Sequence, residues 1–324
     1  MAIEVETVLS DYSRPITALD LSPEGDKLVL AHPGLQGRPG RLAIWHARRE
    51  ELLLESPSPS HSGLYGARFA RNGRTVVYGA LDSRQVYEFD TLNASRRKLE
   101  LEVPNPRWIS MGNQGKWLCV CGDIPRVYDL AKQEFVLGNA LPERPSPDGK
   151  PSGLVCVSDD GARLLFQMAA PAQILLLNAQ TGRVLRRLTG NPPELQALAM
   201  DAKCRYAAAL EYETRGTFLW DLETGNPLLP ELFNARMTHN WCLKFSPTEP
   251  RIAIGMTTGF VFSVNVNTGT IEFERKLHEG RVWDLAFSRD GQELYTAGED
   301  GTVCRVKFNA GESTALGLEK PGFE

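Results

Sequence analysis

HEGRVWDLAFSRDGQELYTAGEDGTVCRVKF, residues 278–308, is the stretch that decides how this chain is read. An apolar segment, VWDLAF (282–287), runs into the polar turn SRDG (288–291), and a second β-rich segment, ELYTAG (293–298), follows after one residue. Short segments rich in Val, Tyr, Phe and Trp, bounded by Ser, Asp and Gly, read as strands joined by tight turns. Moving toward the N-terminus, the same arrangement returns in NWCLKFSPTE (240–249), LQALAMDAKC (195–204), SGLVCVSDDG (152–161), PRWISMGNQG (106–115), LYGARFARNG (64–73) and ITALDLSPEG (16–25). With VWDLAFSRDG (282–291) these are seven copies, whose ends are spaced by 48, 42, 46, 43, 45 and 42 residues. A period of about 44 marks one supersecondary unit used repeatedly.

A second landmark sits at a consistent offset: AIWHARRE (43–50), YEFDTLNA (87–94), RVYDLAKQ (126–133), LLNAQTG (176–182), LWDLETG (219–225) and SVNVNTG (263–269). Asp or Asn opening such a turn can bond its own backbone, and Gly at its end supplies a left-handed conformation. Between the landmarks lie further β-rich runs, including KLVLA, TVVYGA, WLCVCG, RLLFQM, YAAALEY and RIAIGM. Each unit therefore holds about four short strands. No segment sustains a 3.6-residue amphipathic period, and 29 Gly and 21 Pro supply many turns, so an all-β chain nearly free of helix is expected.

With 36 Lys+Arg against 40 Asp+Glu in 324 residues, the net charge is −4, which points away from nucleic acid. A composition of 42% hydrophobic and 23% charged residues excludes global disorder. The most apolar stretch, LLFQMAAPAQILLL (164–177), is interrupted by Gln167, Pro171 and Gln173 and falls short of the ~20 residues a membrane helix requires. MAIEVETVLSDYS at the start has neither a basic segment nor an apolar run, so a cytoplasmic location and no membrane partner are expected. The six cysteines (119, 121, 156, 204, 242 and 304) form no CxxC pair and read as small core hydrophobes, with no metal or other cofactor implied.

Seven units of four antiparallel strands resemble the WD-repeat β-propeller family, and the resemblance covers essentially the whole chain. Its signature dipeptide survives as Trp220-Asp221, while Trp45-His46, Phe89-Asp90, Tyr128-Asp129, Leu177-Asn178 and Val264-Asn265 depart from it. In the last repeat, His278, Thr296 and Asp300 match three members of the family's structural hydrogen-bonded tetrad, and Val306 stands where the family has Trp. The resemblance implies a ring of seven four-stranded blades. IEVETVL (3–9) alternates like a strand and the seventh repeat lacks a clear fourth one, so residues 3–9 are expected to complete the last blade. One propeller over residues 1–308 and a C-terminal tail over 309–324 follow from this reading.

Aligning the seven inner strands places Thr17, Tyr65, Arg107, Gly153, Gln196, Trp241 and Trp283 around one mouth of the axial channel. That ring holds no carboxylate or histidine for a metal or a general base, so no catalytic residue is assigned. The expectation is a non-catalytic interaction module or assembly scaffold, with Tyr65, Arg107, Gln196, Trp241 and Trp283 as its contact residues. The guest would be a protein or peptide segment carrying a basic residue, because facing aromatic rings attract cations. The alternative implied by the fold is a hydrolase- or lactonase-type propeller with an axial active site. The Pro-rich connection LPERPSPDGKPSG (141–153) is a second candidate contact surface.

Overall fold

In the computed structural model the repeats become seven antiparallel sheets. The structure describes residues 3–308 except 11–13, 35–37, 59–63, 81–84, 102–107, 113–114, 122–125, 137–153, 169–172, 191–194, 212–215 and 229–238. Arg107, Gly153, the 141–153 connection and the 309–324 tail lie outside the described residues. No helix occurs among those described, and the β-rich reading of the sequence is borne out.

In six of the seven sheets strand order follows the chain from the inner strand outward, as expected for a meander, and in the seventh the N-terminal strand takes the outermost place. Blade 6 is representative: Asn240–Phe245, Arg251–Met256, Phe260–Asn265 and Ile271–Lys276 pair in that order. Its second strand, RIAIGM, is buried at every residue because both faces are covered by neighbouring sheets, whereas the outermost strand is largely exposed at its end. The outer strands Ser95–Lys98 and Val184–Arg187 of blades 2 and 4 are exposed throughout. Blade 5 has three strands among the described residues, Leu195–Met200, Tyr206–Glu211 and Thr217–Asp221, with only a single bridge between Trp220 and Pro227 beyond them.

The core lies between blades rather than within them. Seven apolar clusters each join one blade to the next. Val77 and Ile109 share the cluster between blades 2 and 3, Leu165 and Trp220 that between blades 4 and 5, and Ala253 and Leu285 that between blades 6 and 7. The ring closes where Leu19 and Leu30 of blade 1 pack with Tyr295 and Ala297 of blade 7. A wedge alone cannot bury these faces, so neighbouring blades stabilise each other.

The N-terminal strand completes blade 7, as the sequence suggested. Ile3–Ser10 pairs antiparallel with Thr302–Phe308, from Ile3 opposite Phe308 to Ser10 opposite Thr302. Opposite charges face each other across this ladder: Lys307 Nζ lies 3.6 Å from Glu4 and 3.8 Å from Glu6, and Arg305 also pairs with Glu6. Such cross-strand pairs favour this register over a slipped one.

Candidate functional site

Blades 5, 6 and 7 share a local irregularity that builds the site. In blade 5 the ladder pairs Leu195 with Glu211 and then Ala197 with Leu210, so Gln196 is an extra residue. The same register shift makes Trp241 the extra residue between Asn240 and Cys242, and Trp283 the extra residue between Val282 and Asp284. A bulge removes one residue from the ladder and redirects its side chain. Three adjacent blades thus turn Gln196, Trp241 and Trp283 out of register at one level. Tyr65 differs, because its backbone stays paired with Gly79 and the irregularity of blade 2 falls later, between Tyr65 and Arg68.

The two tryptophans meet edge to face, with ring centroids 5.2 Å apart and planes at 81°. Arg281, just before the strand of blade 7, lies against both: its guanidinium carbon is 3.9 Å from the Trp241 centroid and 4.6 Å from that of Trp283. A guanidinium on aromatic faces gains roughly 0.5 to 2 kcal/mol and is held in one orientation. The Gln196 Nε2 donates to the Trp241 carbonyl at 3.2 Å, linking blades 5 and 6 at the rim. Three polar atoms here are buried without a partner among the described residues: Arg281 Nε, Trp283 Nε1 and Gln196 Oε1.

Further along the inner strands lies a charged girdle that the aligned mouth positions did not include. Arg68 of blade 2 reaches Asp284 of blade 7 through two bonds, Nη1 to Oδ2 at 2.7 Å and Nη2 to Oδ1 at 3.2 Å. The same guanidinium donates to the Leu19 and Ala67 carbonyls at 2.9 Å, and Asp284 accepts the Leu19 N–H at 3.0 Å and the Leu285 N–H at 2.9 Å. Both side chains are buried, and although Arg68 Nε has no partner among the described residues, the terminal nitrogens and both carboxylate oxygens tie blades 7, 1 and 2 together. Asp20 accepts the Phe69 N–H at 2.8 Å; burial pushes its carboxyl up, against the opposing pull of Arg68 and Lys244. Among the described residues no three His, Cys, Asp or Glu side chains gather as a metal-ligand set.

The blade 7 loop residues form a separate network. His278 Nε2 is 2.7 Å from Thr296 Oγ1, and its Nδ1 is 2.9 Å from Thr302 Oγ1 and 3.2 Å from Asp300 Oδ1. Asp300 also accepts the Thr302 hydroxyl at 2.7 Å and the Glu279 N–H at 2.8 Å. Burial alone would raise the Asp300 carboxyl, but hydrogen bonds from His278, Thr302 and Glu279 outweigh it and hold the group at about 2. Gly298 makes room for this arrangement, since a Cβ there would lie 2.3 Å from His278 Nδ1. Thr302 is a member that the sequence reading did not include.

Other candidates are less organised. The six cysteines are free, and burial pushes the thiols up, to about 12 at Cys121 and about 11 at Cys156 and Cys204, which keeps them protonated and unreactive. A shallow groove between blades 3 and 4, about 440 Å³, is lined by Trp117, Asp129, Phe135 and Asp160. Its main polar feature is internal, the Trp117 Nε1 donating to Asp129 at 3.1 Å.

A ring of seven blades closed by its own N-terminal strand defines a seven-bladed β-propeller, and the His278–Thr296–Asp300 network in its last wedge resembles that of WD-repeat proteins. Comparison with known proteins agrees. The family model "WD domain, G-beta repeat" matches residues 269–304, which span the end of blade 6 and most of blade 7. The WD repeat-containing protein SL1-17 of Schistosoma mansoni is 35% identical over 93 residues, 29% of this chain and 30% of that protein. The human WD repeat-containing protein 90 is 28% identical over 158 residues, 48% of this chain and 9% of its own length. The chain thus matches less than a third of the length of either relative. Their names state the repeat and nothing of a ligand.

Proposed function

We propose that this propeller is a non-catalytic interaction module whose contact surface is the mouth built by Gln196, Trp241, Trp283 and Arg281. Propellers of the WD-repeat type generally bind protein partners, and the observation that carries the reading here is the clustering of bulged residues from three consecutive blades. Bulges at one level of three blades support a shared contact surface, and Trp and Arg are among the residues that most often dominate interface energetics. Tyr65 and Arg107 belong to this proposal from the sequence alignment alone. A cytoplasmic setting, supported by six free cysteines, and a single folding unit over residues 1–308 are parts of the same reading.

The axial-enzyme alternative draws less support from the geometry. Both Asp284 oxygens are spent on the Arg68 terminal nitrogens and on backbone N–H groups of blades 1 and 7. A general base needs a lone pair turned toward a substrate.

The test is a Trp241→Ala, Trp283→Ala double variant, compared with wild type for binding a partner obtained by affinity capture from the native cell. Binding at least tenfold weaker, with an unchanged circular dichroism spectrum, is the expected result. A folded variant that binds like wild type would move the contact surface elsewhere, with the 141–153 connection examined next.

A further inference from the structure

We propose that the mouth is a receptor for a carboxylate on an acidic segment of the partner protein, with Arg281 as its anchor; this rests on the mouth being the contact surface. Two exposed indole faces would attract a lysine or arginine from a partner. Here those faces are already covered, because the Arg281 guanidinium lies 3.9 and 4.6 Å from the two ring centroids. A second cation approaching them would meet like charge.

Among the described residues, Arg281 differs from the three buried arginines, Arg68, Arg251 and Arg305, in having no acid. Arg68 is paired with Asp284, Arg251 with Glu272 at 2.6 Å, and Arg305 with Glu293 at 3.5 Å. Arg281 has no ion pair or side-chain hydrogen bond to any described residue, and of its three nitrogens only Nε is buried. Its two terminal nitrogens are therefore accessible, with their donors unused by any described residue. The acids nearest in sequence form no ion pair with its guanidinium. Glu299 accepts the backbone N–H of Arg281 at 3.0 Å, Asp300 is bonded to His278, Thr302 and Glu279 N–H, and Glu279 pairs with Lys276.

A planar guanidinium clamped by aromatic rings, with both terminal N–H groups free, matches a carboxylate through two parallel bonds. Clamping also removes most of the rotamer entropy that a free arginine would lose on binding. The unpartnered Gln196 Oε1 on the same rim requires a donor, and a peptide backbone supplies one beside its acidic side chain. An acidic peptide offers both groups at once.

The test is panning of a random peptide library on the intact protein, followed by affinity measurement of the selected peptides by fluorescence anisotropy. Selected sequences should be enriched in Asp and Glu. Their affinity should fall at least tenfold in Arg281→Met, which keeps an apolar stem over the rings, and less in Arg281→Lys, which keeps charge but not the fork. Affinity should also weaken as salt rises. Enrichment of Lys and Arg, tighter binding by Arg281→Met, absence of any charge bias, or absence of binders would each overturn the proposal. So would a phosphoserine replacing the essential Asp or Glu and binding more than tenfold tighter, since phosphate would then be the ligand. Peptides lost on the Trp241→Ala, Trp283→Ala variant but unaffected by Arg281→Met would leave the mouth as the contact surface and remove the carboxylate. Peptides indifferent to both variants would remove the mouth itself.

Discussion

Blades 7 and 5 show how differently two copies of one unit can be held. Blade 7 has four paired strands, a buried His278–Thr296–Asp300–Thr302 network, and charges matched across its outer ladder. Blade 5 has three paired strands among the described residues, and its inner strand Leu195–Met200 is only half-buried at every position. It also carries Cys204 at φ 55°, in the turn where blades 1 to 4 and 7 place Gly25, Gly73, Gly115, Gly161 and Gly291 at similar angles. Yet both blades contribute to one mouth through the same bulge. A propeller tolerates a weak wedge because the burial that matters is shared with neighbours, as Trp220 of blade 5 illustrates by packing fully against Leu165 and Ile174 of blade 4.

The contrast can be broken most forcefully at the closing strand. Deleting residues 3–9 removes the ladder to Thr302–Phe308, the buried Leu9 and the facing ion pairs. A loss of several kcal/mol is expected, or about 10 °C in Tm at roughly 2 to 4 °C per kcal/mol. Differential scanning fluorimetry checks it, and an unchanged melt would show that blade 7 does not depend on the N-terminal strand.

A smaller effect is expected inside the blade 7 network. Asp300→Ala leaves His278 and Thr302 short of a partner and should cost roughly 1 to 3 kcal/mol in chemical denaturation. The pH dependence has a definite sign. The folded-state carboxyl at about 2 lies below its ordinary 3.8, so its contribution is complete above about pH 4 and lost as pH falls through about 2. The gap between wild type and variant should therefore close on acidification over that window. A gap that stays constant would mean that the Asp300 charge contributes nothing to the fold.

The smallest change is expected in blade 5. Cys204→Gly relieves a left-handed residue of roughly 1 kcal/mol of strain and loses a small buried side chain of comparable worth. The urea midpoint should barely move. A clear gain in stability would show that backbone strain in this turn limits the blade.

The repeat phase and ring closure were legible because turns tolerate few residue types. Ser, Asp and Gly recur where the chain must reverse, and the alternation of residues 3–9 had no partner except the incomplete last repeat. The site was legible only in part. Trp241 and Trp283 share one alignment column, so their proximity followed from the period, and they do meet. Arg281 stands two residues before Trp283, outside the aligned strand, and nothing in the pattern signals that a bulge brings the two rings beneath its guanidinium. Arg68 and Asp284 are separated by 216 residues and occupy different columns, so no single column displays their pairing. Periodicity reveals which positions are equivalent; contacts between inequivalent positions depend on bulges and side-chain reach.

The closing strand also sets the order of events during synthesis. Ile3–Ser10 leaves the ribosome about 300 residues ahead of its partner Thr302–Phe308. At roughly 5 to 20 residues per second, about 300 intervening residues keep the first strand waiting for some 15 to 60 seconds. Through that interval its apolar residues, Ile3, Val5, Val8 and Leu9, have no ladder to join. The alternating glutamates at positions 4 and 6 then act as gatekeepers, discouraging the waiting strand from pairing with another nascent chain before its own last blade arrives.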